Sequence, residues 1–135
     1  MKTFTIQVKS LLSILIIFLI IASCNQKQSF LSDTDPRRVE ILVLGHESEH
    51  HNSEKLMMYL QTPLFLKGIN LTYTTDLEDL NEVTLNNYDG LMIYANHESI
   101  SPEQESALKS YIQSGKALIP IHSASFCFQN SDWYI

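Results

Sequence analysis

The chain has 135 residues, 44% of them hydrophobic, and carries 15 acidic against 9 basic side chains for a formal net charge of −6. An acidic chain without a basic patch lacks the electrostatic footprint that phosphate backbones require, so nucleic acid is not expected as a partner. Of its two cysteines one falls in a leader segment, so an intramolecular disulfide is not expected and stability must come from packing.

Lys2 and Lys9 precede an apolar run from Leu11 to Ile21 that only Ser13 interrupts. About a dozen residues are too few to span a bilayer as a helix of roughly 20, so the run reads as the core of a secretory signal, residues 1–23. It ends in Ile21, Ala22, Ser23 and Cys24, which look like the lipobox of bacterial lipoproteins, where cleavage leaves the cysteine as a lipidated amino terminus. The competing reading is an ordinary signal peptide, or a buried apolar helix, with an incidental cysteine. On the lipoprotein reading Cys24 is a lipidation site, the protein is anchored in the bacterial cell envelope, and the membrane is a partner through the lipid alone. Losing Lys2 and Lys9 leaves seven basic residues against fifteen acidic ones. Residues 24–37 are polar apart from Phe30 and Leu31 and read as a lipidated tether to a domain spanning 38–135.

Val39 to Leu44 is a β-branched and aliphatic run closed by Gly45, as a buried strand should read. After GHESEHHN the spacing turns helical from Ser53, with Leu56, Met57, Leu60 and Leu64 on one face; Pro63 is expected to kink or end the helix, and Gly68 to stop any continuation beyond it. Ile69 to Tyr73 alternates apolar and polar residues, which suits a strand near the sheet edge. Between Asp76 and Asp89, Leu77, Leu80, Val83, Leu85 and Tyr88 are scattered among acidic residues and asparagines, predicting one or two short helices.

Gly90 to Tyr94 is a third strand candidate and leads into Ala95, Asn96, His97 and Glu98. Ser101, Pro102 and Gln104 then supply an N-cap, a proline at the first helical position and the glutamine of a capping box. Leu108, Tyr111 and Ile112 give that helix a buried face, and Gly115 lies where a left-handed C-cap belongs. The run Ala117, Leu118, Ile119 and Ile121 reads as a fourth strand, buried on both faces, that breaks at His122, Ser123, Ala124 and Ser125. Four strands separated by helical segments predict an α/β fold, a flavodoxin-like doubly wound parallel sheet of order 2-1-3-4.

All five histidines, His46, His50, His51, His97 and His122, follow candidate strands directly or lie in the loop after one. In such a sheet the carboxyl ends of the strands are where ligands bind. With strands one, three and four adjacent at roughly 4.8 Å spacing, His46, His97 and His122 are expected within about 10 Å of one another, with Glu47 and Glu98 beside them. Imidazole and carboxylate suit a divalent metal such as zinc, and equally acid and base chemistry on a bound small molecule. No HExxH or other metal signature is present, so the metal remains one alternative, with His46, His97 and His122 as its candidate ligands. Ser123 and Ser125 are candidate nucleophiles with His122 as base, but no G-x-S-x-G surrounds them, and helix capping is the expected role of both. Cys127 is expected to pack as a small apolar residue.

ILVLGHESEHHN, YDGLMIYANHESISPEQ and SGKALIPIHSASFCF followed by NSDWY together resemble the trehalose-utilisation (ThuA-like) family, which shares the class I glutamine amidotransferase-like fold. The resemblance runs from about Arg38 to Ile135. It implies a link to carbohydrate metabolism, often in lipoproteins, and a small-molecule sugar or oxidised sugar derivative as ligand. It places His122 at the elbow where amidotransferases of this fold carry their cysteine nucleophile, which argues against glutamine hydrolysis, and it matches His46 and His97 to histidines at the family's first and third strand ends. The candidate catalytic set is therefore His122, His46, His97 and Ser123, in an enzyme or in a non-catalytic carbohydrate-binding or accessory module. Family members continue well past Tyr134, so the domain is expected to be incomplete at its carboxyl end. The fourth strand is then expected at the sheet edge, with an apolar surface prone to association.

Overall fold

The run Val39–Gly45 forms a strand, β1, whose alternate side chains enter two different cores: Leu42 and Leu44 pack on one face and Ile41 and Val43 on the other. A strand apolar on both faces must lie inside a sheet with layers on each side. The computed structural model describes residues 37–46 and 51–135 and shows this arrangement. The signal segment, Cys24, the tether up to Pro36, and Glu47 and His50 lie outside the described residues.

After β1 come helix α1 (Ser53–Phe65), strand β2 (Ile69–Thr74), a 3₁₀ turn at Leu77–Asp79, the short helix α2 (Glu82–Leu85), strand β3 (Gly90–Tyr94), helix α3 (Pro102–Gln113), strand β4 (Ala117–Pro120) and a second 3₁₀ turn at His122–Phe126. The four strands form one parallel sheet in the order β2-β1-β3-β4. That order is the one expected from the sequence. Met57 of α1 covers one face with Ile41, Val43 and Met92. Ala107, Leu108 and Tyr111 of α3 cover the other with Leu42, Leu44, Leu91 and Ile93, joined by Leu80, Leu85, Cys127 and Phe128.

Local signals set the element ends. Ser101 Oγ accepts the Gln104 amide at 3.2 Å while the Gln104 side chain accepts the Ser101 amide at 3.0 Å, completing the expected capping box. Gly115, at φ +88°, takes the left-handed conformation that ends α3, as the sequence predicts. Pro63 does not end α1, which continues to Phe65. Proline removes only the hydrogen bond to the carbonyl four residues back, that of the exposed Tyr59, which water can satisfy, and the bonds from Leu66 to Thr62 and from Lys67 to Leu64 close the last turn.

The fourth strand differs from a strand buried on both faces. Among the described residues β4 pairs with β3 alone, and Ala117 and Pro120 are exposed while Leu118 and Ile119 are half-buried. At the opposite end of the sheet from the histidines, Asp89 accepts the Glu40 amide at 2.9 Å and pairs with Arg37 and Lys116, clamping the amino ends of the strands.

Candidate functional site

Register brings the strand ends together. Leu44 lies opposite Ile93, Gly45 opposite Tyr94 and Ile93 opposite Pro120, so the residues that follow β1, β3 and β4 emerge at one edge. There the described histidines fall into two groups. The His46 and His97 rings lie 5.6 Å apart, centroid to centroid. His51 meets His122 edge-on at 4.7 Å, with Tyr94 6.1 Å from the first and 6.2 Å from the second. The expected trio of His46, His97 and His122 is thus split: among the described residues no three His, Cys, Asp or Glu side chains are placed to hold a metal ion. The reason is that each loop turns its ring toward a nearby backbone group or a ring of its own neighbourhood, which strand spacing alone does not specify.

His46 is held from both ends. Ser53, which is buried at the start of α1, donates its hydroxyl to the His46 carbonyl at 3.0 Å and accepts the His46 amide at 3.2 Å, and its oxygen lies 2.8 Å from the Tyr73 hydroxyl. Sequence reasoning treats Ser53 only as the first residue of a helix. A signal for its role exists, since a small hydroxyl residue directly after the capping Asn52 is free to bond outside its own helix. Gly45 is required beside this knot, because a Cβ there would lie 2.5 Å from Ser53 Oγ and from Tyr73 Oη. Gly45→Ala is expected to cost about 1–3 kcal/mol, read as a lowered urea midpoint. It is also expected to change the fluorescence or ultraviolet absorbance of Tyr73. An unchanged midpoint would show that the knot yields freely.

The side chains of His46 and His97 cross. His46 Nδ1 accepts the Asn96 amide at 3.0 Å, and His97 Nε2 lies 3.2 Å from the Gly45 carbonyl, to which it donates because a carbonyl oxygen can only accept. His97 is fixed from behind as well: its carbonyl accepts the Phe128 amide at 2.7 Å, and the Glu98 carbonyl accepts that of Gln129 at 2.8 Å. Burial, and next the neighbouring His97 ring, hold His46 below the usual imidazole range. Protonation would also turn Nδ1 into a donor facing the Asn96 donor. The folded state therefore prefers the neutral ring, so this contribution to stability is complete above about pH 6.5 and is lost as pH falls below it. Denaturation midpoints measured from pH 8 to 5 should fall less steeply in His46→Asn, whose amide oxygen keeps the Asn96 bond and does not titrate; equal slopes would remove His46 as the cause.

His122 takes the left-handed conformation, φ +49°, at the bend from β4 into the second 3₁₀ turn. It is exposed and borders two hollows. One, of about 330 Å³ on the α1 side, includes Asn52, Lys55, Tyr59 and Tyr94 in its lining. The other, of about 550 Å³ on the α3 side, includes Leu118, Pro120, Trp133 and Tyr134. The serines beside it do not act as the helix caps the sequence suggests. Ser125 donates its hydroxyl to the His122 carbonyl at 3.3 Å, and Ser123 is buried with its Oγ unpartnered among the described residues. A 3₁₀ turn of five residues leaves fewer free amides for capping than a full helix would. Cys127 packs as expected; it is fully buried, its thiol donates to the Ala95 carbonyl at 3.1 Å, and burial pushes its pKa up.

Compared with known proteins, residues 40–135 match the family ThuA, described as trehalose utilisation. A ThuA-like protein from Bacteroides uniformis ATCC 8492 superposes with a TM-score of 0.60 at 18% identity over 72% of this chain and 42% of its own. A second, from Parabacteroides merdae ATCC 43184, gives 0.59 at 15% identity over 72% and 37%. The chain thus spans about two fifths of the length of these solved structures, and at such identity the likeness is one of fold. No curated protein matches the chain.

Proposed function

The chain belongs to the ThuA family of trehalose utilisation, which ties it to carbohydrate metabolism, and from that premise we propose that it acts on a sugar or an oxidised sugar derivative at the carboxyl edge of its sheet. The observation that carries this reading is His122, an exposed imidazole held at positive φ on the bend after β4, between two hollows and against His51 and Tyr94. Left-handed backbone at a residue other than glycine costs on the order of 1 kcal/mol and persists where the surroundings over-determine it, commonly at functional sites. An imidazole there is suited to take a proton from a ligand hydroxyl near neutral pH. His46 and His97, paired with each other at the ends of β1 and β3, are the further binding residues of this reading.

Lipidation at Cys24 would hold this domain at the bacterial envelope, where imported sugars pass. Cys24→Ser should then yield protein that is neither cleaved nor lipidated, and detergent-free release of the wild type would refute the anchor.

The test of function is to incubate the full chain with an oxidised disaccharide and to analyse both products and binding heat. Product formation is expected. Binding without product would favour the non-catalytic carbohydrate-binding module, and neither would sink both readings.

A further inference from the structure

The crossed bonds of His46 and His97 determine what each ring can still offer. A neutral imidazole has one N–H and one lone pair. His46 commits its lone pair, at Nδ1, to the Asn96 amide, so its proton sits on Nε2 and Nε2 can only donate. His97 commits its N–H, at Nε2, to the Gly45 carbonyl, so its remaining nitrogen, Nδ1, can only accept. The rings lie 5.6 Å apart, both are half-buried, and among the described residues no hydrogen bond links the two free nitrogens. Each can therefore meet water or a ligand group of the opposite kind.

We propose that His46 and His97 form a donor–acceptor pair for a neutral, hydroxyl-bearing ligand, with His46 Nε2–H donating to a ligand oxygen and His97 Nδ1 accepting from a ligand hydroxyl. A carboxylate or sulfate would set its lone pairs against that of His97, and two donors, as on an ammonium group, would oppose His46. Adjacent hydroxyls of a sugar satisfy both, since each can donate and accept. The same logic separates the two rings as ligands for metals. His97, with Nε2–H on a backbone carbonyl, has the support usual for a metal-bound imidazole, whereas His46 would have to give up the Asn96 bond first. The pair rests on the reading that this edge takes a sugar, and it adds the polarity with which the sugar is held.

Two isosteric replacements test it. In His46→Asn the amide oxygen stands where Nδ1 stood and keeps the Asn96 bond, but the outward donor is lost. In His97→Gln the amide nitrogen stands where Nε2 stood and keeps the Gly45 bond, but the acceptor is lost. With the full chain in mild detergent, labelled at histidine with nitrogen-15, spectra above pH 7.5 should show both rings protonated on Nε2. Trehalose should perturb Nε2–H of His46 and Nδ1 of His97, and sulfate, which can only accept, should not perturb Nδ1 of His97. At pH 8 both variants should keep the wild-type denaturation midpoint and bind trehalose about five- to tenfold more weakly, the loss of one hydrogen bond. A proton on Nδ1 of either ring overturns the pair and leaves the sugar reading standing. Full binding by the isosteric variants shows a purely structural clasp. Correct tautomers with no binding of either trehalose or the oxidised disaccharide by the wild type overturn the sugar ligand itself.

Discussion

His122→Ala is expected to lower turnover of an oxidised disaccharide by roughly 10²–10⁴-fold, the usual range for loss of a positioned proton-transfer group, with little change in the denaturation midpoint. The side chain is exposed, lies against the His51 and Tyr94 rings and belongs to neither core cluster, so its removal leaves no cavity in either core. His122→Gly sharpens the experiment. Glycine relaxes the +49° backbone, so this variant should be as stable as the wild type or more so, by up to about 1 kcal/mol, and equally inactive. A gain in stability with a loss of activity is the signature of strain retained for function. Full turnover in His122→Ala would remove His122 from the chemistry, and a less stable His122→Gly would show that the imidazole matters for packing.

The second large effect lies in the core. Leu44 is 0% exposed, sits opposite Ile93 across the β1–β3 pairing, and packs with Leu91, Leu108 and Phe128. Leu44→Ala should cost about 2–5 kcal/mol, from lost transfer energy and from a cavity that rigid strands cannot close. Against a total of about 5–15 kcal/mol for a domain, that is roughly a third of the stability at the middle of both ranges. In urea the midpoint should fall by about 1–3 M at an unchanged slope. Val83→Ala is the control, because Val83 is 81% exposed on α2 and should change stability by less than about 0.5 kcal/mol. A Leu44→Ala midpoint within error of the wild type would mean that β1 is not the centre of the sheet.

The Leu44 result also separates what composition can say from what packing decides. The runs at Val39 to Leu44 and Gly90 to Tyr94 are legible as buried strands because a strand covered on both faces must be apolar at every position, and the structure buries both. Ile69 to Tyr73 is legible as an edge for the converse reason. Ser101, Pro102, Gln104 and Gly115 are legible because caps are made within one turn of chain. Pro63 marks the helix end only to within two residues, since losing one hydrogen bond near a helix end is a small cost that the next turn absorbs.

The sequence alone therefore determined the fold class, the strand order and the edge at which the histidines gather, because periodicity, caps and crossover handedness are short-range or topological. Only the tertiary structure decided how those histidines are used. The pairing of His46 with His97 and of His51 with His122, the tie from Ser53 to His46, and the nitrogen each crossed ring leaves free all depend on groups that other elements of the fold supply. Hydrogen bonds act over about 3 Å, whereas the residues that make the crossed pair lie about fifty positions apart, so no local pattern encodes them.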